Sequence, residues 1–185
     1  MMRFKAGEEE AFEQLVRRNI RKVHALAYRF LGDSSQVEDV AQEVFLRVYR
    51  GAARYQPAAK FSTWLYRIVA NLSFNAMRSR RKGYLRQIAA MPGEDGETFF
   101  REVPDDRDHS PDRRLHAGEL REKIAAAIDR LPGNQKVAMI LNKYEGKSYE
   151  EISVILACSP MAVKSLLSRA RRSLREALSG YLADR

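Results

Sequence analysis

This sequence has few of the residues that form disulfides or metal sites, and it has no long apolar run of the kind that spans a membrane. The 185 residues include one cysteine and three scattered histidines, which excludes an internal disulfide and gives no metal-ligand spacing. No apolar run approaches the ~18 residues of a membrane span, and residues 1–10 turn acidic where a secretion signal would turn apolar. A glycine-rich phosphate loop is also missing. We therefore expect a cytoplasmic protein without stable membrane insertion, cofactor or metal.

Strand patterns are nearly absent as well, while apolar residues recur at helical spacing along most of the chain. The formal net charge of +9 and the pI near 9.8 favour a polyanionic partner. Between residues 85 and 117 the periodicity is lost and prolines and acids gather. The sequence predicts an all-α protein with two small helical domains, residues 1–84 and 118–185, joined by an acidic flexible linker, residues 85–117.

The segment 147–175 has the pattern of a helix-turn-helix. Ser148 and Glu151 are spaced as a capping box, which predicts the start of a first helix. After a short turn, Ser159 is a favourable N-cap and Pro160 suits the first position of a second helix. In a helix-turn-helix the second helix enters the major groove of DNA.

The second helix of this motif is amphipathic and cationic. At about 100° per residue, its apolar residues fall on one arc. The opposite arc carries the candidate duplex-DNA contacts Met161, Lys164, Ser165, Ser168, Arg171, Arg172 and Arg175. Many helices carry a solvated basic face, but the capping signals, the short turn and the lack of any acid between residues 164 and 175 favour DNA.

A helix predicted to follow Ser62 and to end near Arg81 carries a stripe of aromatic, amide and guanidinium groups. Aromatic rings stack on unpaired bases, cations pair with phosphates, and amides can read the edges of an extruded base. The candidate single-strand contacts are Lys60, Phe61, Trp64, Arg67, Asn71, Asn75, Arg78, Arg80 and Arg81. For Phe61 and Trp64, anchoring of the hydrophobic core is an open alternative.

A third predicted helix, residues 37–50, opens after Ser35, which with Glu38 has the spacing of another capping box. Its outward face mixes acids and amides, which favours a protein partner on an otherwise basic chain, although a solvated surface is an alternative. The candidate partner-binding residues are Glu38, Asp39, Gln42, Glu43 and Arg47. The acids at 38, 39 and 43 could also suggest a metal-dependent nuclease, but no Lys or His is spaced to complete such a site.

Three motifs in order, DSSQVEDVAQEVFLRVYR, FSTWLYRIVANLSFNAMRSRRK and the helix-turn-helix from Ser148, resemble the extracytoplasmic-function (ECF) group of sigma-70-type bacterial sigma factors. The resemblance implies a non-enzymatic initiation factor that binds core RNA polymerase and directs it to particular promoters. It also implies that helix 37–50 docks on the clamp helices of the largest polymerase subunit. Residues 61–82 would read and melt the minus-ten element, and residues 160–175 would bind the minus thirty-five element. Many relatives are held inactive by an anti-sigma factor.

The sequence departs from this family at the helix-turn-helix. The family commonly has Arg where Leu166 stands, a Gly-Thr pair where Met161 and Ala162 stand, and Gly in the turn where this chain has Ala157 or Cys158. Promoter preference therefore cannot be transferred from relatives. An autonomous helix-turn-helix regulator, which would bind operator DNA without polymerase, is the main alternative.

Overall fold

The computed structural model describes residues 1–57, 60–90, 120 and 122–183, and within them every regular element is helical, which confirms the all-α class. The elements are α1 Met2–Lys5, α2 Glu9–Leu31, α3 Val37–Gly51, a 3-10 turn Ala52–Arg54, α4 Phe61–Ala90, α5 (122–129), α6 Gly133–Lys143, α7 Tyr149–Leu156 and α8 Pro160–Ala183. Helix α4 continues past residue 84, into the first six positions of the predicted linker. Most of that linker, residues 91–117, lies outside the described residues.

Helices α2, α3 and α4 form the core of the N-terminal half, which we define as α1 to α4. On α3, Val44 and Val48 are fully buried because they recur at helical spacing on the side that faces the other two helices. Phe30 of α2 and Val69 of α4 are equally buried in the same cluster. This packing turns the polar side of α3 and one side of α4 toward solvent.

The predicted capping box at Ser35 and Glu38 is wrong. Helix α3 begins at Val37 after Gln36, and no side chain caps its first turn. Instead, the hydroxyl of Ser35 donates to Asp33 Oδ2 at 2.7 Å and its N–H donates to Asp33 Oδ1 at 2.9 Å. A local turn around Asp33 therefore uses the groups that a capping box would need.

The helix-turn-helix forms as predicted in the C-terminal half, which we define as α5 to α8. The Ser148 hydroxyl accepts from the Glu151 N–H at 3.1 Å, and Glu151 Oε2 accepts from the Ser148 N–H at 3.0 Å. Ser159 Oγ accepts from the Ala162 N–H at 3.2 Å, and α8 begins at Pro160. Between the helices, Ala157 adopts the left-handed conformation, with φ of 52°.

The two halves share one continuous hydrophobic core, a contact that the sequence did not predict. Helix α4 packs against α7 and α6, and α2 packs against α6. At the start of α6, a Cβ on Gly133 would lie 2.6 Å from the ring of Phe74 in α4, so only glycine allows this approach. The C-terminal half is therefore held directly against α4.

A largely covered carboxylate, Glu145, joins the halves by polar contacts. The hydroxyl of Tyr66 in α4 donates to Glu145 Oε2 at 2.6 Å, and Arg29 Nη1 of α2 donates to Glu145 Oε1 at 2.9 Å. The Glu145 side chain is only 10% exposed. Burial, together with the hydrogen bond to Glu145, raises the pKa of Tyr66 well above its usual value. We call Arg29, Tyr66 and Glu145 the Glu145 cluster.

Within the described residues no single helix is long and apolar enough to cross a membrane; one bent pair, 149–156 with 160–179, passes by length and composition alone.

We expect Ala157→Gly to stabilise the protein by about 0.5–1 kcal/mol, because glycine adopts the left-handed conformation without the steric cost that a Cβ incurs. Urea unfolding followed by circular dichroism measures this change. Ala177→Gly, at an exposed position of α8, is the matched control and should destabilise by about 0.5–1 kcal/mol. Destabilisation by both variants would contradict the left-handed turn.

Glu145→Ala should lower the free energy of unfolding by about 1–3 kcal/mol, since it leaves the Tyr66 hydroxyl and the Arg29 guanidinium without their acceptor. The exposed Glu176→Ala in α8 is the control and should change stability by no more than about 0.5 kcal/mol. Equal stabilities of the two variants in urea unfolding would contradict the packing of the two halves.

Candidate nucleic-acid interface

One side of α4 is exposed and carries the residues predicted to contact single-stranded DNA. We call Trp64, Arg67, Asn71, Asn75 and Arg78 the α4 surface. Four of these side chains are exposed and Trp64 is half-buried, because the opposite side of the helix packs in the core. Arg80 and Arg81 lie in α4, but their side chains fall outside the described part of the chain. Binding of DNA by this surface stays a prediction.

Trp64 belongs to an aromatic cluster at the start of α4. Its ring centroid lies 5.1 Å from that of Tyr55 and 5.9 Å from that of Phe61. Tyr55 is buried, and Phe61 and Trp64 are half-buried, so this cluster combines core packing with partial exposure of its rings. A Cβ on Gly51, at the end of α3, would lie 3.0 Å from Trp64 Cζ2, so a larger residue at this position would require the indole to shift by a few tenths of an ångström.

A cavity of about 430 Å³ lies beside these rings, within the volume range of small-molecule sites. The N-terminal half contributes a mixture of aromatic, amide, hydroxyl and guanidinium groups. The lining residues are Gly51, Arg54, Tyr55, Gln56, Thr63, Trp64, Arg67 and, from α7, Val154. Sequence reasoning missed Arg54 and Gln56 because the loop has no periodicity, and only the fold brings it against α4.

Lys60, just before α4, is exposed and close to the helix-turn-helix. The backbone N–H of Ser148 and the Lys147 ammonium hold the pKa of Glu151 below its usual value, and Lys60 adds a smaller lowering. A cation predicted to contact DNA therefore lies near an acid of α7. Helix α7, the first helix of the helix-turn-helix, therefore lies at the edge of the cavity, where Val154 lines it and Glu151 lies near Lys60.

The outward face of α8 is exposed over several turns. All seven predicted duplex contacts are exposed, and Met161 is 73% exposed, the most of the large apolar side chains among the described residues. Arg169 is exposed on the same arc and was missed, although its helical spacing from Ser165 and Arg172 was available as a signal. Arg171 lies at the edge of the face, where its Nη2 donates to the Tyr149 hydroxyl at 3.4 Å. With Arg169 added, these eight residues form the α8 surface.

The polar face of α3 is held by pairs within the helix. Gln42 Nε2 donates to Glu38 Oε1 at 3.2 Å, and Arg47 Nε donates to Glu43 Oε1 at 2.8 Å. Asp39 is exposed beside them. Sequence reasoning missed two apolar neighbours, Leu46 and Tyr49, because it followed only the polar pattern. They are 47% and 51% exposed, respectively. We define the α3 surface as Glu38, Asp39, Gln42, Glu43, Leu46, Arg47 and Tyr49.

Across the described residues, no group of three or more His, Cys, Asp or Glu side chains could hold a metal ion. Of the acids considered for a nuclease, Glu38 and Glu43 already bind their own helix neighbours. The α3 surface is therefore exposed with its charges largely paired, and binding of a protein partner by it stays a prediction.

Comparisons with known proteins match both halves to parts of one family. Residues 15–83 match the family model described as sigma-70 region 2, and residues 121–174 match that described as sigma-70, region 4. The RNA polymerase sigma-H factor of Pseudomonas aeruginosa is 32% identical over 182 residues, which cover 98% of this chain and 93% of that protein. The ECF RNA polymerase sigma factor SigW of Bacillus subtilis is 33% identical, over 94% of this chain and 92% of that protein.

A solved structure has the same fold. The sigma factor RpoE from Bartonella quintana, crystallised with the anti-sigma factor NepR, aligns with a TM-score of 0.67 at 22% identity. The alignment covers 92% of this chain and 98% of that one.

Replacing Arg169 and Arg172 together with alanine should weaken binding to mixed-sequence duplex DNA. The slope of log K against log salt should become shallower by about 0.9 per lost phosphate contact. Fluorescence anisotropy over a salt series measures the slope. Arg18→Ala with Arg21→Ala, on the exposed side of α2, removes the same charge and is the control. If both double variants change the slope equally, only net charge is involved, and the α8 surface is not the duplex contact.

Proposed function

The chain belongs to the ECF group of sigma-70-type RNA polymerase sigma factors, and we propose which of its surfaces binds each promoter element and which binds core polymerase. Proteins of this family bind core RNA polymerase and promoter DNA, and this chain functions in promoter-specific transcription initiation. Sigma factors are initiation factors without enzymatic chemistry, and we propose the same for this chain, acting in the cytoplasm.

The α4 surface and the adjoining cavity bind the minus-ten element as single strands. The observation that carries this proposal is that Trp64 and Arg67 belong both to the exposed stripe and to the cavity lining. An unstacked base can lie against the indole edge, where an amide and two guanidinium groups are within the same cavity lining. Asn71, Asn75 and Arg78 continue along the helix and can follow the strand.

The α8 surface binds the minus thirty-five element as duplex. Its exposed cations, from Lys164 to Arg175, span about three turns of one helix, whose N-terminus is capped by Ser159. Residues near the N-terminus of a recognition helix contact base edges, and cations farther along contact phosphates. Met161, Lys164 and Ser165 are therefore the base-reading candidates. The phosphate contacts are the arginines farther along the helix, Arg169, Arg171, Arg172 and Arg175.

The α3 surface binds core polymerase at the clamp helices of its largest subunit. Paired charges around the exposed Leu46 and Tyr49 give a mixed surface, with apolar contacts at the centre and polar groups at the rim. The similar Bartonella protein was crystallised with an anti-sigma factor, and we propose a partner of that class for this chain as well. Such a partner would compete with polymerase for exposed surfaces.

Binding of both promoter elements depends on polymerase. Each DNA surface alone is small, and holding both on one enzyme raises the effective concentration of the second contact. The residues between α4 and α5 join the two surfaces. An autonomous helix-turn-helix regulator would bind its DNA without polymerase. Dependence of promoter binding on core polymerase therefore distinguishes a sigma factor from such a regulator.

Run-off transcription with purified core polymerase tests the proposal. We expect the wild-type chain to initiate from selected promoters with core and to bind them poorly without it. Tight, specific binding to duplex promoter DNA in the absence of core, with no initiation in its presence, would instead indicate the autonomous regulator.

Trp64→Ala combined with Asn75→Ala should impair promoter opening more than duplex capture. Loss of a stacked base should lower open-complex formation by about 1–3 kcal/mol, or about 5- to 150-fold. Permanganate footprinting measures opening, and a pre-melted template should recover part of the defect because strand separation is no longer needed. Asn134→Ala, an exposed amide of α6, is the control. Equal defects on both templates would contradict a role in melting.

A further inference from the structure

The cavity beside Trp64 is held from outside by one side chain that promoter recognition has not used. Lys5 of α1 donates from Nζ to the backbone oxygen of Tyr55 at 2.8 Å, across 50 residues of sequence. We propose that Lys5 is a positioning residue, which fixes the cavity wall formed by residues 54–56 and thereby sets which unpaired base the cavity accepts. This inference rests on the proposed single-strand function of the cavity.

The hydrogen bond between Lys5 and Tyr55 lies near the C-terminal end of α3, where a positive charge is favourable. Helix α3 runs directly into the 3-10 turn, and Tyr55 is the residue that follows the last turn. Carbonyl groups at the end of a helix lack intrahelical partners and carry the negative end of its dipole. Tyr55 itself is extended, so its carbonyl lies just beyond the last turn, where the Lys5 ammonium donates a charge-assisted hydrogen bond to it and adds a positive charge near the helix end.

Helix α1 is fixed well enough to place this ammonium. The ring of Phe4 lies 4.9 Å from that of Phe12 in α2 and 5.2 Å from that of Tyr49 in α3. Helix α1, and Lys5 with it, is thus anchored by aromatic packing on α2 and on α3, and Gly51 at the end of α3 lines the cavity.

Displacement of Tyr55 would be transmitted to the cavity. The Tyr55 ring is buried and packs on Trp64, whose indole also lies close to Gly51, so a shift of Tyr55 would move side chains that line the cavity. Arg54 and Gln56 flank the held peptide, and both line the cavity. Their hydrogen-bonding groups can discriminate between base edges only while the peptide keeps its place.

Lys5→Met is the central variant, since it keeps an unbranched apolar stem and removes the donor and the charge. Lys5→Arg keeps both and should restore function. Arg3→Gln removes a cation two residues away that is paired with Glu8, and so controls for net charge near DNA. Urea unfolding establishes that all three variants fold.

Holoenzyme reconstituted with core polymerase is assayed on fork-junction templates in which each unpaired minus-ten position in turn carries all four bases. Lys5→Met should reduce the preference between bases at one position by about threefold or more, a fraction of the discrimination that one good base contact supplies. Preferences at other positions and capture of the duplex minus thirty-five element should be unchanged. Lys5→Arg and Arg3→Gln should resemble the wild type.

The inference is overturned if Lys5→Met keeps every base preference, if it weakens all positions equally, or if Arg3→Gln has the same effect. Another pair of results would show that the proposed single-strand function of the cavity is itself wrong. If wild-type holoenzyme shows no base preference at any unpaired position and Trp64→Ala does not change binding, the cavity does not take a base. In that case both proposals are wrong.

Discussion

One largely covered carboxylate, Glu145, links the two halves of this protein through hydrogen bonds to α2 and α4. A carboxylate that is 10% exposed is unfavourable unless its charge is matched, and the guanidinium of Arg29 and the hydroxyl of Tyr66 match it from two different helices. Apolar contacts between α4 and α7 could form in several registers, because hydrophobic burial has no direction. Hydrogen bonds are directional, so those that Glu145 accepts from Arg29 and Tyr66 favour one arrangement of the two halves.

That arrangement determines where the nucleic-acid surfaces lie. With α7 held against α4, Val154 reaches the cavity beside Trp64, while the exposed side of α4 and the outward face of α8 stay open to solvent. Most of the cationic groups proposed to bind DNA therefore lie outside the shared core. Recognition and packing meet at Trp64, which packs against the core and lines the cavity together with Val154 of α7.

The parts of the fold that were predictable from sequence are local ones. The capping box at Ser148 and the helix start at Pro160 involve residues within three positions of each other, and both were correct. The same spacing at Ser35 failed because Asp33 offered a nearer acceptor. Contacts between the halves and the loop of the cavity could not be derived, since Tyr66 and Glu145 are 79 residues apart and the loop has no periodic pattern. The exposed sides of α4 and α8 followed from helical geometry alone.

Trp64 is the only tryptophan in the chain, and Val154 from the other half lines the cavity that it borders. Its indole is therefore a built-in optical probe of whether the halves are together. If α7 leaves the cavity, water replaces apolar side-chain atoms beside the ring, and the intrinsic emission of the protein shifts without any attached label. Contact between the two halves can thus be followed through a residue that is itself part of the proposed promoter-binding surface.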